Sequence, residues 1–162
     1  MLPLDTFKAV VASTPLISID IIVRNGKQEV LLGERLNRPA KGCWFVPGGR
    51  VLKDEPLGMA FKRLLNAELG IGARGAEFKG VYQHFYPDNM SGCDFGTHYV
   101  VLAYEVSVNC ALSVLPKEQH GRYKWFSERE LLQNKNVHQH TKQYFQKGLN
   151  ADASFIQKRL KD

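Results

Sequence analysis

Between Pro56 and Gly70 the chain carries a helix signal bounded at both ends, and one acidic residue inside it stands where an acid is costly. Proline suits a first helical position because its missing N–H is one the helix would leave unsatisfied, and Asp54 or Glu55 is at hand as a cap. Glycine suits the other end, where the chain turns through left-handed backbone. Leu57, Ala60, Phe61, Leu64 and Leu65 form a single apolar stripe, roughly 140 degrees wide on a helical wheel. Glu68 falls near the middle of that stripe, while Met59, Lys62 and Asn66 lie opposite. A carboxylate aimed at a packed interior must be paired, protonated or bound to a metal. In a last helical turn it can also reach round to water or an arginine, so the wheel alone leaves both readings open.

Strand and turn signals precede the helix. Leu16 to Val23 is rich in isoleucine, Asn25-Gly26 is a two-residue turn signal, and Glu29 to Gly33 resumes as a second strand, which predicts a hairpin. Asp20 interrupts the first strand's apolar run. Arg35 to Gly42 reads as a loop, Cys43 to Val46 as a short strand, and Pro47-Gly48-Gly49 as a sharp turn. Paired glycines let backbone approach a ligand and Arg50 offers a planar donor fork for phosphate, although the same pair also serves a turn with no ligand. Asp5 can cap a short first helix carrying Phe7, Val10 and Val11, ended at Pro15. Strands are predicted at Phe78 to Phe85, Thr97 to Val108 and Arg122 to Phe126. Ser127 with Glu130 makes a capping box, and Thr141 to Lys147 carries a weaker helical pattern with Tyr144 and Phe145. Strands with helices before, between and after them predict an α+β layered sandwich.

A length of 162 residues with 44% hydrophobic content suits one domain over residues 1–162, with a core that needs no disulfide or metal staple. No long apolar run and no secretory pattern is present, so the protein is expected in the cytoplasm and away from membranes. Cys43, Cys93 and Cys110 are odd in number and far apart, which suggests neither a disulfide framework nor a thiolate zinc site. A formal charge of +6 favours anionic ligands. The basic residues are scattered and not interleaved with stacking aromatics, so nucleic acid is not an expected partner.

Gly49, Glu55, Arg63, Glu68, Gly70 and Ile71 fall in register on the box of the Nudix hydrolases, which the segment resembles. Leu64 and Ala67 stand where that box has carboxylates. Both losses resemble the GDP-mannose mannosyl hydrolase branch, as do the stretches STPLISID, WFVPGGRV, GVYQHFY, THYVVL, EQH and NVH, in that order. The resemblance implies a Nudix-type α/β/α sandwich with a mixed sheet. It implies hydrolysis of GDP-mannose, and of GDP-glucose, at the anomeric carbon with inversion, by a Mg2+-dependent homodimer in which Mn2+ substitutes. It further implies Gly48, Glu68 and Gln119 as metal ligands and His120 as general base. Arg35, Arg50 and Tyr99 would meet the diphosphate, Asp20 and His84 the sugar, and Arg63 would pair with Glu55. Read without the resemblance, Gln119 and the arginines are surface residues, His120 is a solvated loop histidine, and Asp20 and His84 are satisfied within a sheet. A conventional Nudix pyrophosphohydrolase and a non-catalytic nucleotide-sugar binding domain are the alternatives.

Overall fold

Residues 3–72, 75–92, 94–108, 111–116 and 120–146 are described by the computed structural model, and among them seven strands form one mixed sheet. The central strand β1 (Leu16–Arg24) runs parallel to β6 (Thr97–Ser107), from Leu16 opposite Tyr99 to Arg24 opposite Ser107. Strand β5 (Glu77–Tyr86) closes that side, antiparallel to β6. On its other side β1 changes partner along its length. It meets β2 (Val30–Arg35) only at Arg24 and Val30, and β4 (Gly48–Arg50) at Ser18 to Asp20. Between them the Ile21 N–H donates to the Pro47 carbonyl at 2.8 Å. Strand β2 diverges to pair with β3 (Trp44–Phe45) and β7 (His120–Phe126). The sheet therefore splits beside Asp20.

Alternation along β1 sends its side chains to two cores. Ile19, Ile21 and Val23 pack with Ala60, Leu64, Leu65 and Leu69 of α2 (Leu57–Leu69). Ile22 packs on the opposite face with Val30, Leu32, Trp44, Ala103, Phe126 and Leu131, the last from α3 (Glu128–Gln133). Tyr144 and Phe145, which follow α4 (Gln139–Gln143), join this second core. Helices thus cover both faces, giving the α+β sandwich with a mixed sheet that the sequence led us to expect. Each fully buried isoleucine or leucine contributes about 1.5–3 kcal/mol before its ordering cost.

Several local expectations are corrected. Asn25-Gly26 is not a two-residue turn: the Asn25 side-chain oxygen accepts from the Lys27 and Glu29 N–H groups at 2.9 and 3.0 Å, which lengthens the loop to Glu29 and puts Gln28 at φ 64. Asp5 does not cap α1 (Leu4–Ser13) but lies in its first turn, with Pro3 at the cap position. Neither Asp54 nor Glu55 caps α2, because Pro56 itself holds that position and the Glu55 oxygens are engaged by Arg63 and the Leu52 N–H. Leu57 leaves the apolar stripe and is exposed, whereas Gly70 closes the helix at φ 63 as its chemistry suggested. Gly48 and Gly49 form strand, not a free turn. The Glu130 N–H does donate to Ser127 Oγ, at 3.2 Å. Strand β7 begins at His120, earlier than predicted, so His120 stands on the sheet. Lys147 lies outside the described residues.

Candidate active site

Helix α2 places Glu68 one turn beyond Leu64 on the same face. A Cβ added to Gly49 would stand 2.6 Å from Leu64 Cδ2, so β4 lies directly against this face. Glu68 is 6% exposed, and its Oε2 lies 3.7 Å from Nδ1 of His120, which is 4% exposed. Burial, reinforced by the positive charge of Arg35, pushes the His120 imidazole down to about 4, so it is neutral at ordinary pH. Its ring packs against β2, where a Cβ on Gly33 would stand 2.5 Å from the ring's Cγ. Tyr123, also on β7, brings its hydroxyl within 3.2 Å of His120 Nδ1 and of the Glu68 carbonyl.

The opposite face of the split holds a second group. Asp20 alternates with Ile19 and Ile21 and so points away from α2. The Tyr144 hydroxyl donates to Asp20 Oδ2 at 2.6 Å and lies 3.2 Å from His84 Nε2. Burial pushes the Asp20 carboxyl up to about 6 against the pull of Tyr144 and Arg35. His84 is buried and stacks on His140 with centroids 4.2 Å apart and planes 6° from parallel. His138 stacks on Phe45 at 4.6 Å and lies 4.8 Å from His140. Burial and the neighbouring imidazoles hold His84 down at about 3.

Arg35 connects the two groups. Its guanidinium lies over Phe45 at 5.3 Å, and its charge acts on Asp20, His120, His138 and Tyr99. The Tyr99 phenol, raised by burial, sits on β6 opposite Leu16 and His84. Arg50 lies over Phe7 at 4.1 Å, which fastens α1 to β4, while its charge also reaches Tyr99. Arg63 grips Glu55 with two bonds of 2.7 and 2.8 Å and donates to the Arg50 carbonyl at 2.9 Å, tying loop and helix together. That pair, with the Leu52 N–H, draws the Glu55 carboxyl down to about 2. A Cβ on Gly48 would stand 2.5 Å from the Ile19 carbonyl and 2.7 Å from Asp20 Oδ1, so only glycine fits where β4 passes this part of β1. Gln119, an expected ligand, lies outside the described residues.

The profile of the NUDIX domain matches residues 14–147, a span that takes in β1, the glycine strand, α2 and the three later strands. The chain belongs to the Nudix family. Among its relatives is the low-salt glycan biosynthesis protein Agl8 of Haloferax volcanii, 41% identical over 109 residues, which are 67% of this chain and 69% of that one. Solved Nudix structures share the architecture. The MutT protein of Methanosarcina mazei aligns at a TM-score of 0.68 with 22% identity, covering 91% of this chain and 97% of that one. The NUDIX domain of Shewanella oneidensis NrtR, solved with ADP ribose, aligns at 0.59 with 19% identity over 84% of this chain and 90% of its own. Both likenesses speak to the Nudix fold.

Five residues that line the site escaped the reading of the sequence as functional: Gly33, Tyr123, His138, His140 and Tyr144. Gly33 carried a signal, since an isolated glycine within a strand marks a close approach. Gly33→Ala is expected to displace the His120 ring, cost about 1–3 kcal/mol as overpacking does, and lower turnover about tenfold to a hundredfold through misplacement. Thermal unfolding and turnover of the purified variant check this. Wild-type values for both would show that the ring does not depend on Gly33.

Proposed function

We propose that this Nudix hydrolase cleaves GDP-sugars, GDP-mannose and GDP-glucose among them, into GDP and free sugar. The observation that carries the reading is the inward Glu68 carboxylate beside a neutral His120, on a helix where Leu64 and Ala67 replace the box carboxylates. A site poor in carboxylates but holding a neutral imidazole suits activation of water for attack on carbon. The glycan-related name of the Haloferax relative agrees with a sugar nucleotide as substrate.

The donor types fit a divalent cation: the buried Glu68 carboxylate is an oxygen donor of the kind magnesium takes, as a backbone carbonyl and a side-chain amide are. Gly48, Glu68 and Gln119 would hold Mg2+, or Mn2+ in its place. When bound, the ion neutralises charge on the departing diphosphate. Arg35, Arg50 and Tyr99 bind the diphosphate oxygens, and Asp20 and His84 take hydroxyls of the sugar. His120 accepts a proton from water as the water oxygen bonds to the anomeric carbon. The bond from that carbon to the β-phosphate oxygen breaks, its electron pair leaves with GDP, and the single displacement inverts the carbon. GDP is a weak base, so its oxygen needs no proton donor.

The test is turnover of GDP-mannose in oxygen-18 water with magnesium. Label in the free sugar is the expected result. Label in phosphate would replace the proposal with a conventional pyrophosphohydrolase, and binding without turnover of any nucleotide sugar would reduce the protein to a binding domain.

A further inference from the structure

We infer that Tyr144 is a positioning residue that gives its one hydrogen to Asp20 and takes one from His84, so that Asp20 Oδ1 and His84 Nδ1 are both left as acceptors for hydroxyls of the sugar. The inference deepens the reading of Asp20 and His84 as the sugar's contacts and rests on it for its consequence in turnover. Its starting point is where the phenol is seated. The Tyr144 ring packs edge-on against Tyr82, with centroids 4.7 Å apart and planes at 88°, at the margin of the core on that face of the sheet. From this seat its hydroxyl reaches both β1 and β5, lying 2.6 Å from Asp20 Oδ2 and 3.2 Å from His84 Nε2.

A carboxylate only accepts, and 2.6 Å falls in the range of a charge-assisted bond from a hydroxyl, so the phenol's hydrogen lies toward Asp20. Burial, with the Asp20 charge beside it, raises the Tyr144 hydroxyl well above its ordinary value, so it keeps that hydrogen at neutral pH. His84 is neutral there and has one hydrogen of its own to place. On Nδ1 it would set the lone pair of Nε2 against the phenol oxygen. On Nε2 it is donated to that oxygen, and the bonds run in one direction from His84 through Tyr144 to Asp20. His140, stacked 4.2 Å from His84 with planes 6° apart, sets the plane of the imidazole. Neither Asp20 Oδ1 nor His84 Nδ1 has a hydrogen-bond partner among the described residues. Both atoms only accept in this arrangement, and a sugar hydroxyl, which has a hydrogen to give, suits each of them.

The protein labelled with nitrogen-15 in its histidines is examined by long-range proton–nitrogen correlation at neutral pH, with the His84 signals assigned by their loss in His84→Gln. Wild type is expected to show hydrogen on Nε2 of His84. Tyr144→Phe keeps the ring in its seat and removes only the hydroxyl, so population is expected to move to the Nδ1–H form. The same variant is expected to lower kcat on GDP-mannose about tenfold or more, while its Kd for GDP with magnesium, measured by calorimetry, stays within about twofold of wild type because GDP carries no sugar. Hydrogen on Nδ1 in wild type overturns the inference, as does a Tyr144→Phe protein that keeps either the wild-type tautomer or the wild-type kcat. A GDP affinity that falls as far as kcat also overturns it, since that marks general loosening and not placement of the sugar's contacts. If Tyr144→Phe fails to fold, the wild-type spectrum decides alone. That spectrum needs no substrate, so a failure of the GDP-sugar reading shows in the product assay and a failure of this inference shows in the tautomer.

Discussion

Replacing His120 with alanine is expected to lower kcat on GDP-mannose by about a hundredfold to ten-thousandfold, leaving KM near its wild-type value. The imidazole sits on a strand and not on a loop, packed against Gly33 and held beside Glu68 and Tyr123. Its orientation is therefore fixed before substrate arrives, which is what a base acting on a weak nucleophile needs. Burial keeps it neutral, so its proton-accepting form predominates throughout the neutral range. On the proposed reaction, the residual rate would come from departure of GDP assisted by the proposed diphosphate contacts, which the substitution leaves in place. Steady-state kinetics with magnesium, together with a thermal melt showing that the variant folds, decide the matter. An unchanged kcat would remove His120 from the mechanism and return the search for a base to the Asp20 side of the split.

Much of this arrangement was legible in the sequence where it depends on local periodicity. The α2 wheel placed Glu68 inward because helical spacing alone fixes which residues share a face, and Glu68 is indeed buried with Leu64 and Leu65. Six of the seven strands were found for the same reason, with errors at their ends, while Gly48–Arg50 was read as a turn because a glycine pair carries no strand pattern. Cap chemistry misled where a side chain had a better partner, as Glu55 does in Arg63. What no local pattern could supply is the split in the sheet. That β1 exchanges β2 for β4 beside Asp20 depends on pairings across the chain, and it decides that Asp20 and Glu68 face opposite sides of one opening. Likewise, Tyr144 reaches Asp20 from 124 residues away, so its role follows from tertiary packing and not from its neighbours in sequence. His138 and His140 were visible as residues, yet only the stack on His84 and Phe45 gives them a place in the site.

That stack leads to the second large effect: acidification is expected to destabilise the fold steeply between about pH 6.5 and pH 3, the ordinary and the depressed values for His84. In this window the unfolded chain binds a proton at His84 and the folded chain does not, so stability is complete above the window and is lost as pH falls through it. At about 1.4 kcal/mol for each tenfold change in proton affinity, His84 alone accounts for a loss on the order of 4 kcal/mol. His138, pushed down to about 4, and His140, also lowered by burial, add in the same direction. Asp20 acts oppositely. Its carboxyl is raised by burial to about 6 from 3.8, so the folded state binds a proton there first as pH falls, and this offsets part of the loss. The three imidazoles outweigh it because protonating them puts charge among rings 4.2 to 4.8 Å apart, with His84 itself buried. Urea unfolding followed across this pH range measures the slope. In His84→Gln, whose side chain is neutral at every pH, the loss at pH 3 should shrink by about a thousandfold in the unfolding constant. A wild-type stability that stays level from neutral pH down to pH 4, or a His84→Gln profile that tracks wild type throughout, would show that the imidazole stack does not control acid sensitivity.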